Sequence, residues 1–214
     1  MDEDISIINT NTRNEKIKNF FIKNKKYLFA ILLLIILIFF GFFGYEEIKD
    51  KKNKKLSEKY NNISINFTTL KSKDVKKELI EIIKEKNSTY SPLALYFIID
   101  KEIQSSNQEI NKYFDIIIDE VSLDKEIKNL IIYKKGLFNS EFETENNLIK
   151  ILNPVINSDS VWKSHALYLM AEYFYYKNHK QKSKEFFNQI ITLENSNENI
   201  KIQAEKRLNR DFSD

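Results

Sequence analysis

Polar and apolar positions follow two different rhythms along this chain. Between Lys26 and Glu46 there is no charged residue for nineteen positions, Tyr27-Leu-Phe-Ala-Ile-Leu-Leu-Leu-Ile-Ile-Leu-Ile-Phe-Phe-Gly-Phe-Phe-Gly44-Tyr45. At 1.5 Å per helical residue such a run reaches about 28 Å, close to the hydrocarbon thickness of a bilayer. It exceeds the apolar core of a signal peptide and no small-residue cleavage site follows it, so residues 27–45 are expected to form an uncleaved transmembrane helix. Tyr27 and Tyr45 fall where interfacial aromatic residues are expected. Beyond residue 45 the apolar residues recur at three and four, as one face of a helix requires: Ile80 and Ile83, Leu93 and Phe97, Ile110, Phe114 and Ile117, Leu130, Tyr133 and Leu137. This spacing predicts helices over 46–60, 73–86, 91–104, 107–120, 124–138, 141–152, 160–177, 180–193 and 198–209. Ile63-Ser-Ile-Asn-Phe67 alternates like a strand but has no partner strand, and is expected to be helix or loop.

Start signals punctuate these runs. Ser91-Pro92 reads as an N-cap followed by proline, Ser106 with Glu109 and Ser140 with Glu143 read as capping boxes, and Asn178 and Asn195-Ser-Asn mark breaks. Helices of this length joined by short turns suit a bundle or a solenoid of helical hairpins. One pair favours the solenoid. Leu167, Met170, Ala171 and Phe174, followed by Ser183 and Phe187, have the spacing of a tetratricopeptide hairpin, in which small residues let two helices approach while large ones fill the groove beside them. Asn195 stands where that pattern has proline, and Trp162 lies too early to be its tryptophan. A step of thirty-six residues sets Phe187 against Ile151 and Phe174 against Phe138, but puts Lys135 opposite Ala171, with Gly136 beside it. Three hairpins are expected, at 91–120, 124–157 and 160–193, closed by the helix at 198–209. The fold class is therefore all-α, with segments 1–26 ahead of the membrane, 27–45 within it, 46–90 leading into the solenoid and 91–214 as the repeats.

Composition removes many activities. The chain has 214 residues, a formal charge of +3 from Lys+Arg 34 and Asp+Glu 31, no cysteine, and only Gly 3 and Pro 2. So small a charge gives no electrostatic case for nucleic-acid binding. Absent cysteine removes disulfides, thiolate metal sites and thiol nucleophiles together. Scarce glycine argues against phosphate-cradling loops and hairpin-rich sheets, which need residues at φ > 0. His165 and His179 have no partner ligand at metal spacing, acidic pairs such as Asp115 and Asp119 lie among Lys and Asn, and no Gly-x-Ser-x-Gly occurs. No enzyme, no cofactor and no metal is expected. The basic stretch Lys49–Lys55 fits either a solvated helix or a contact with anionic headgroups. Tyr173-Phe-Tyr-Tyr176 is different, because four consecutive aromatic residues on one helix turn by about 100° each and cannot all face inward. Tyr173 and Tyr176 are the expected partner-binding residues; Leu167, Met170, Ala171, Phe174, Ser183 and Phe187 are the expected packing residues.

Counted over whole flanks the bases tie, six on each side of the apolar run. Those nearest it do not: Lys23, Lys25 and Lys26 crowd one end, Glu46 and Glu47 the other, which favours a cytoplasmic N-terminus. The order of parts resembles the ancillary SecYEG translocon subunit family, the YfgM-like proteins. It is carried by the acidic start Asp2-Glu3-Asp4, the basic-aromatic approach Lys18-Asn-Phe-Phe-Ile-Lys-Asn-Lys-Lys-Tyr-Leu28 and the anchor ending Gly44-Tyr45. Leu152-Asn-Pro154, Trp162-Lys-Ser-His-Ala-Leu-Tyr-Leu-Met-Ala-Glu172, Phe186-Phe-Asn-Gln-Ile190 and Ile202-Gln-Ala-Glu-Lys-Arg-Leu208 add to it. The resemblance implies a single-pass inner-membrane protein with a periplasmic repeat domain, whose partners are the Sec translocon, periplasmic chaperones and secreted client chains. A structural scaffold for an envelope or cell-division complex is the alternative. The alanine-rich packing of such repeats is largely replaced here by Ile, Tyr and Phe.

Overall fold

A computed structural model describes residues 2–68 and 72–212, with side chains from residue 13 onward other than those of Tyr45 and Ser72. The side chains of Asp2, Glu3, Asp4 and Tyr45, which enter the expectations above, lie outside the described ones. The chain divides into two compact units, Met1–Lys55 and Leu56–Asp214.

The first unit is helical throughout its described length and belongs to α1, Asp2–Asn66. No described side chain from residue 27 to residue 44 is buried. Phe40, for example, is 75% exposed. An apolar helix with nothing packed on it is long and apolar enough to cross a membrane.

The second unit opens with the last turns of α1, where Leu56, Tyr60 and Ile63 are spaced to form one helical face. Leu56 and Ile63 are buried in the first core, and the Tyr60 ring meets those of Tyr90 and Phe97 at 6.0 and 6.2 Å. Residues 63–66 are thus helical, and α1 extends beyond the expected end at residue 60. The remaining described helices are α2 Ser72–Lys84, α3 Tyr90–Asp100, α4 Asn107–Glu120, α5 Lys125–Asn139, α6 Glu145–Ile156, α7 Lys163–Tyr176, α8 Lys180–Thr192 and α9 Glu198–Asp211. Among the described residues there is no strand.

Capping explains where the helices begin. Ser106 forms the expected box, its Oγ accepting from the Glu109 N–H at 3.2 Å while Glu109 Oε2 accepts from the Ser106 N–H at 3.0 Å. The Ser140 box does not form. Ser140 closes α5 by donating to the Leu137 carbonyl, and α6 starts later behind Thr144, whose Oγ1 accepts from the Asn147 N–H. Ser91 is not an N-cap either. It lies buried inside α3 and donates to the Ile82 carbonyl of α2 at 3.0 Å, while Asn87 Oδ1 accepts from the N–H groups of Thr89 and Tyr90. The helix ends use αL residues without glycine: Lys86, Glu102 and Asn178 have φ of 53°, 50° and 61°.

Ser91 also corrects the pairing. It sits at the crossing of α2 and α3, which pack together extensively, so α3 is the second helix of an α2–α3 hairpin and not the first of a hairpin over 91–120. The described residues of 56–90 consequently pack within the second unit, where 46–90 was expected to lead into the repeats. The hairpins α5–α6 and α7–α8 lie where expected, α4 stands between α2–α3 and α5–α6, and α9 closes on α7 and α8. Three cores run in series. The first joins the end of α1 to α2, α3, α4 and Ile131 of α5, the second lies among α5, α6 and α7, and the third among α7, α8 and α9. Helix α7 is apolar nearly all round because it is covered on two sides. Ala166, Met170 and Phe174 enter the second core, and Leu167 and Ala171 enter the third.

The repeat step is thirty-five residues, one fewer than expected, and it sets buried positions against buried ones: Ile132 with Leu167, Gly136 with Ala171, Leu148 with Ser183 and Leu152 with Phe187. Gly136 is therefore the small residue of the α5–α6 crossing. A Cβ there would stand 2.4 Å from Leu152 Cδ2. Exchanging Gly136 for alanine gains about 1 kcal/mol of helix propensity, whereas overpacking a filled core costs about 1–3 kcal/mol. Gly136→Ala is thus expected to lower the denaturation midpoint despite the better helix former, and Gly136→Ala/Leu152→Val to recover it, as measured by urea titration of the full chain.

Candidate interaction surface

The six packing residues read from the tetratricopeptide spacing divide between two cores, Met170 and Phe174 in the second and Leu167, Ala171 and Phe187 in the third, with Ser183 against Ala171. Leu167, Met170, Ala171, Phe174, Ser183 and Phe187 are each at most 1% exposed. The Ser183 hydroxyl donates to the Ala171 carbonyl at 2.8 Å, which satisfies a buried hydroxyl between α7 and α8. The Phe187 ring packs edge-on to Tyr168 at 5.5 Å. Neighbouring repeats are braced by hydrogen bonds whose partners lie about one repeat apart. Glu126 Oε2 of α5 accepts from Ser160 Oγ at 2.7 Å and from the Val161 N–H at 3.1 Å, and Ser164 Oγ of α7 accepts from the Asn197 N–H at 3.3 Å.

Tyr173 and Tyr176 part company. Tyr176 is 82% exposed, whereas Tyr173 is 7% exposed and its hydroxyl donates to the Glu143 carbonyl at 3.1 Å. Tyr173 is therefore a buried residue whose edge lines a cleft. Both tyrosines border that cleft of about 570 Å³, together with Leu169, Glu172, Ser140 and Glu141. A second cleft of about 580 Å³ lies among α4, α5 and α6, with Ile118, Ile132 and Ile151 in its lining, Asn111 and Lys150 on its walls and Phe142 at its rim. Its amides are largely engaged: Asn111 and Asn139 each donate to the other's Oδ1 at 2.8 Å, and spend their second N–H groups on the carbonyls of Asn107 and Lys135. Both clefts fall within the size range of ligand pockets, about 300–1,000 Å³. The turn between them, Glu141-Phe142-Glu143, stands where the sequence reading begins a helix at residue 141, and its Phe142 was not expected at a surface site.

Among the described residues no group of three His, Asp or Glu could hold a metal ion. His179 is exposed beside Glu145 at 3.7 Å, and His165 lies with the rings of Tyr133 and Trp162 at 5.8 and 5.1 Å. Burial pushes the phenol of Tyr96 up to about 12 and raises that of Tyr133 as well, the behaviour of packing residues. One charged cluster joins two helices. Arg207 of α9 holds Glu172 of α7 with two hydrogen bonds of 2.6 and 3.0 Å, pairs with Asp211, and stacks over the Tyr175 ring at 4.3 Å.

Residues 18–118 match a family described as a tetratricopeptide repeat-like domain. The matched span covers the apolar helix and the helices of the first core, and ends before α7 and α8, which carry the spacing that suggested the same repeat. No curated protein and no solved structure matches the chain. The fold is accordingly an all-α, tetratricopeptide-like array of helical repeats, a class whose ordinary work is protein–protein interaction, behind one helix long and apolar enough to cross a membrane.

The Arg207 cluster predicts a fork-specific effect. A lysine keeps the charge but loses the two-pronged hydrogen bond and the planar stack. Arg207→Lys is expected to cost about 1–3 kcal/mol and to lower the melting temperature by several degrees, as seen by calorimetry. His165 predicts a pH effect. Burial holds its imidazole below the usual pKa, with a backbone hydrogen bond to Val161 opposing. The unfolded chain then binds a proton that the folded chain refuses, so stability is complete above the unfolded value of about 6.5 and is lost as pH falls toward the depressed folded value. A fall in melting temperature from pH 7.5 to pH 5.5 is expected in the native chain, and a flat profile over that window in His165→Gln.

Proposed function

We propose that the protein is a membrane-anchored interaction protein, held by residues 27–45, whose repeat domain binds protein partners. The observation that carries this reading is that no described side chain of the apolar run is buried, in a chain that goes on to a packed helical-repeat unit, because an exposed apolar surface of that extent in water would drive association. Crowded bases at Lys23, Lys25 and Lys26, against Glu46 and Glu47 at the other end, favour a cytoplasmic N-terminus and a repeat domain on the far side of the inner membrane, in the periplasm. Together with the resemblance to the ancillary translocon subunits, this makes the protein an accessory of the Sec translocon that connects it with periplasmic chaperones or emerging secreted chains. Tyr176, and Tyr173 through its edge, are the proposed contacts, since amphipathic aromatics are favoured at protein interfaces.

Two measurements test this. Protease added to spheroplasts should cleave the repeat domain while residues 1–26 stay protected; a protected repeat domain sinks the periplasmic assignment. A photo-crosslinker in place of Tyr176 should capture translocon subunits, chaperones or secretory chains in intact membranes. Capture of envelope or division proteins alone would instead support a structural scaffold.

A further inference from the structure

We propose that the α5–α6 turn, Glu141-Phe142-Glu143, is a docking site for an extended polypeptide segment that carries a basic residue beside an apolar one. The proposal rests on the reading that the repeat domain binds protein partners, and adds where the segment lies and what chemistry selects it.

Four contacts hold the turn in place. The N–H groups of Phe142 and Glu143 both donate to the Asn139 carbonyl, at 3.3 and 2.9 Å. Ser140 Oγ donates to the Leu137 carbonyl at 2.8 Å, and the Tyr173 hydroxyl donates to the Glu143 carbonyl at 3.1 Å. Phe142 is supported from beneath, its ring edge-on to Phe138 at 5.3 Å, which in turn meets Phe114 at 6.0 Å. It is nevertheless 42% exposed. A fixed aromatic in water is the arrangement that recognition favours, since little ordering entropy remains to be lost when a ligand covers it.

The turn also separates the two clefts. Glu141 lines the one toward α7, while Phe142 and Glu143 line the one among α4, α5 and α6. An extended segment crossing the turn would therefore find a recess on either side of Phe142, with Leu169 and Tyr173 as apolar lining in one and Ile118, Ile132 and Ile151 in the other.

Charge sets the class of segment. Most charges around the clefts are neutralised within the fold: Asp115 by Lys135, Glu172 by Arg207, and Glu145 by Lys182. Lys177 lies over the rings of Tyr173 and Tyr176 at 5.5 and 5.9 Å. Glu141 and Glu143 have no cationic partner among the described residues, and Glu143 accepts only the Asn147 amide at 2.8 Å. Lys150, also unpaired, lies along α6, about 10 Å from the turn at 1.5 Å per residue. Complementing the α6 dipole does not account for both acids. Glu145 already stands in the first turn of that helix, and Glu141 precedes the Thr144 N-cap by three residues. Two uncompensated carboxylates flanking an exposed aromatic favour a Lys or Arg next to an apolar side chain, and disfavour an acidic segment by like-charge repulsion.

The test uses the full chain in detergent micelles or nanodiscs and two fluorescein-labelled decapeptides with the same Leu-Phe-Leu centre, one flanked by lysines and one by aspartates. Anisotropy should show the lysine peptide binding at least tenfold tighter at low salt, with the preference shrinking as salt rises. Glu141→Gln/Glu143→Gln keeps the Asn147 contact available and should reduce the preference to within twofold without loss of helicity. Phe142→Ala should weaken the lysine peptide at least fivefold. Equal affinity for both peptides, binding of neither, or a preference untouched by the double substitution overturns the proposal. If the double substitution has no effect while Tyr176 still captures partners in membranes, the interaction reading survives and only this surface is lost.

Discussion

Two helices can cross closely only where one of them gives up side-chain volume, and that constraint organises the repeat unit. Gly136 admits Leu152 at the α5–α6 crossing, and Ser183 lies against the backbone of Ala171 at the α7–α8 crossing. Ser91 does the same against Ile82 where α2 meets α3. A buried serine is tolerable at such a point only because a carbonyl of the facing helix accepts a hydrogen bond from its hydroxyl. The large residues then fall into place beside the contact, Phe174 and Phe187 around one crossing and Leu148 and Leu152 around another, each fully buried.

Much of this architecture is legible in the sequence, because period and caps are local signals. Helices α4, α5, α7, α8 and α9 lie within a few residues of where apolar spacing puts them, and the Ser106–Glu109 box forms as its letters suggest. Pairing is not a local property, and there the reading slipped. Ser91 followed by Pro92 looks like a helix start, yet the same serine is a small residue at a crossing, and only its distance to the Ile82 carbonyl separates the two roles. The repeat step slipped for a related reason. A step one residue too long matches aromatic with aromatic, Phe174 with Phe138, while the physical requirement is small with small, Ala171 with Gly136.

The surface was less legible than the core. Tyr173 and Tyr176 are three residues apart on one helix, and nothing in the letters says that the hydroxyl of one finds the Glu143 carbonyl while the other stands in solvent. A tyrosine whose ring is covered and whose hydroxyl is bonded acts on the surface indirectly, by fixing the turn it touches. Arg207 drew no separate notice because one of two arginines in a helix that also carries two lysines looks like solvent-facing charge; its partner Glu172 is a full repeat away. In a repeat array such separations are the informative ones, since whatever braces one unit to the next recurs near the period.

The three cores are joined in series by few shared side chains: Ile118 touches the first and second, Ile156 and Phe186 the second and third. An array of this kind carries load one link at a time. Tension arriving along α1 falls first on Leu56, Tyr60 and Ile63, where that helix enters the first core, before any of it reaches the hairpins beyond. The seam made by these three residues is thus the first packing contact that any load along α1 would meet, and the place where local unfolding of the domain would start.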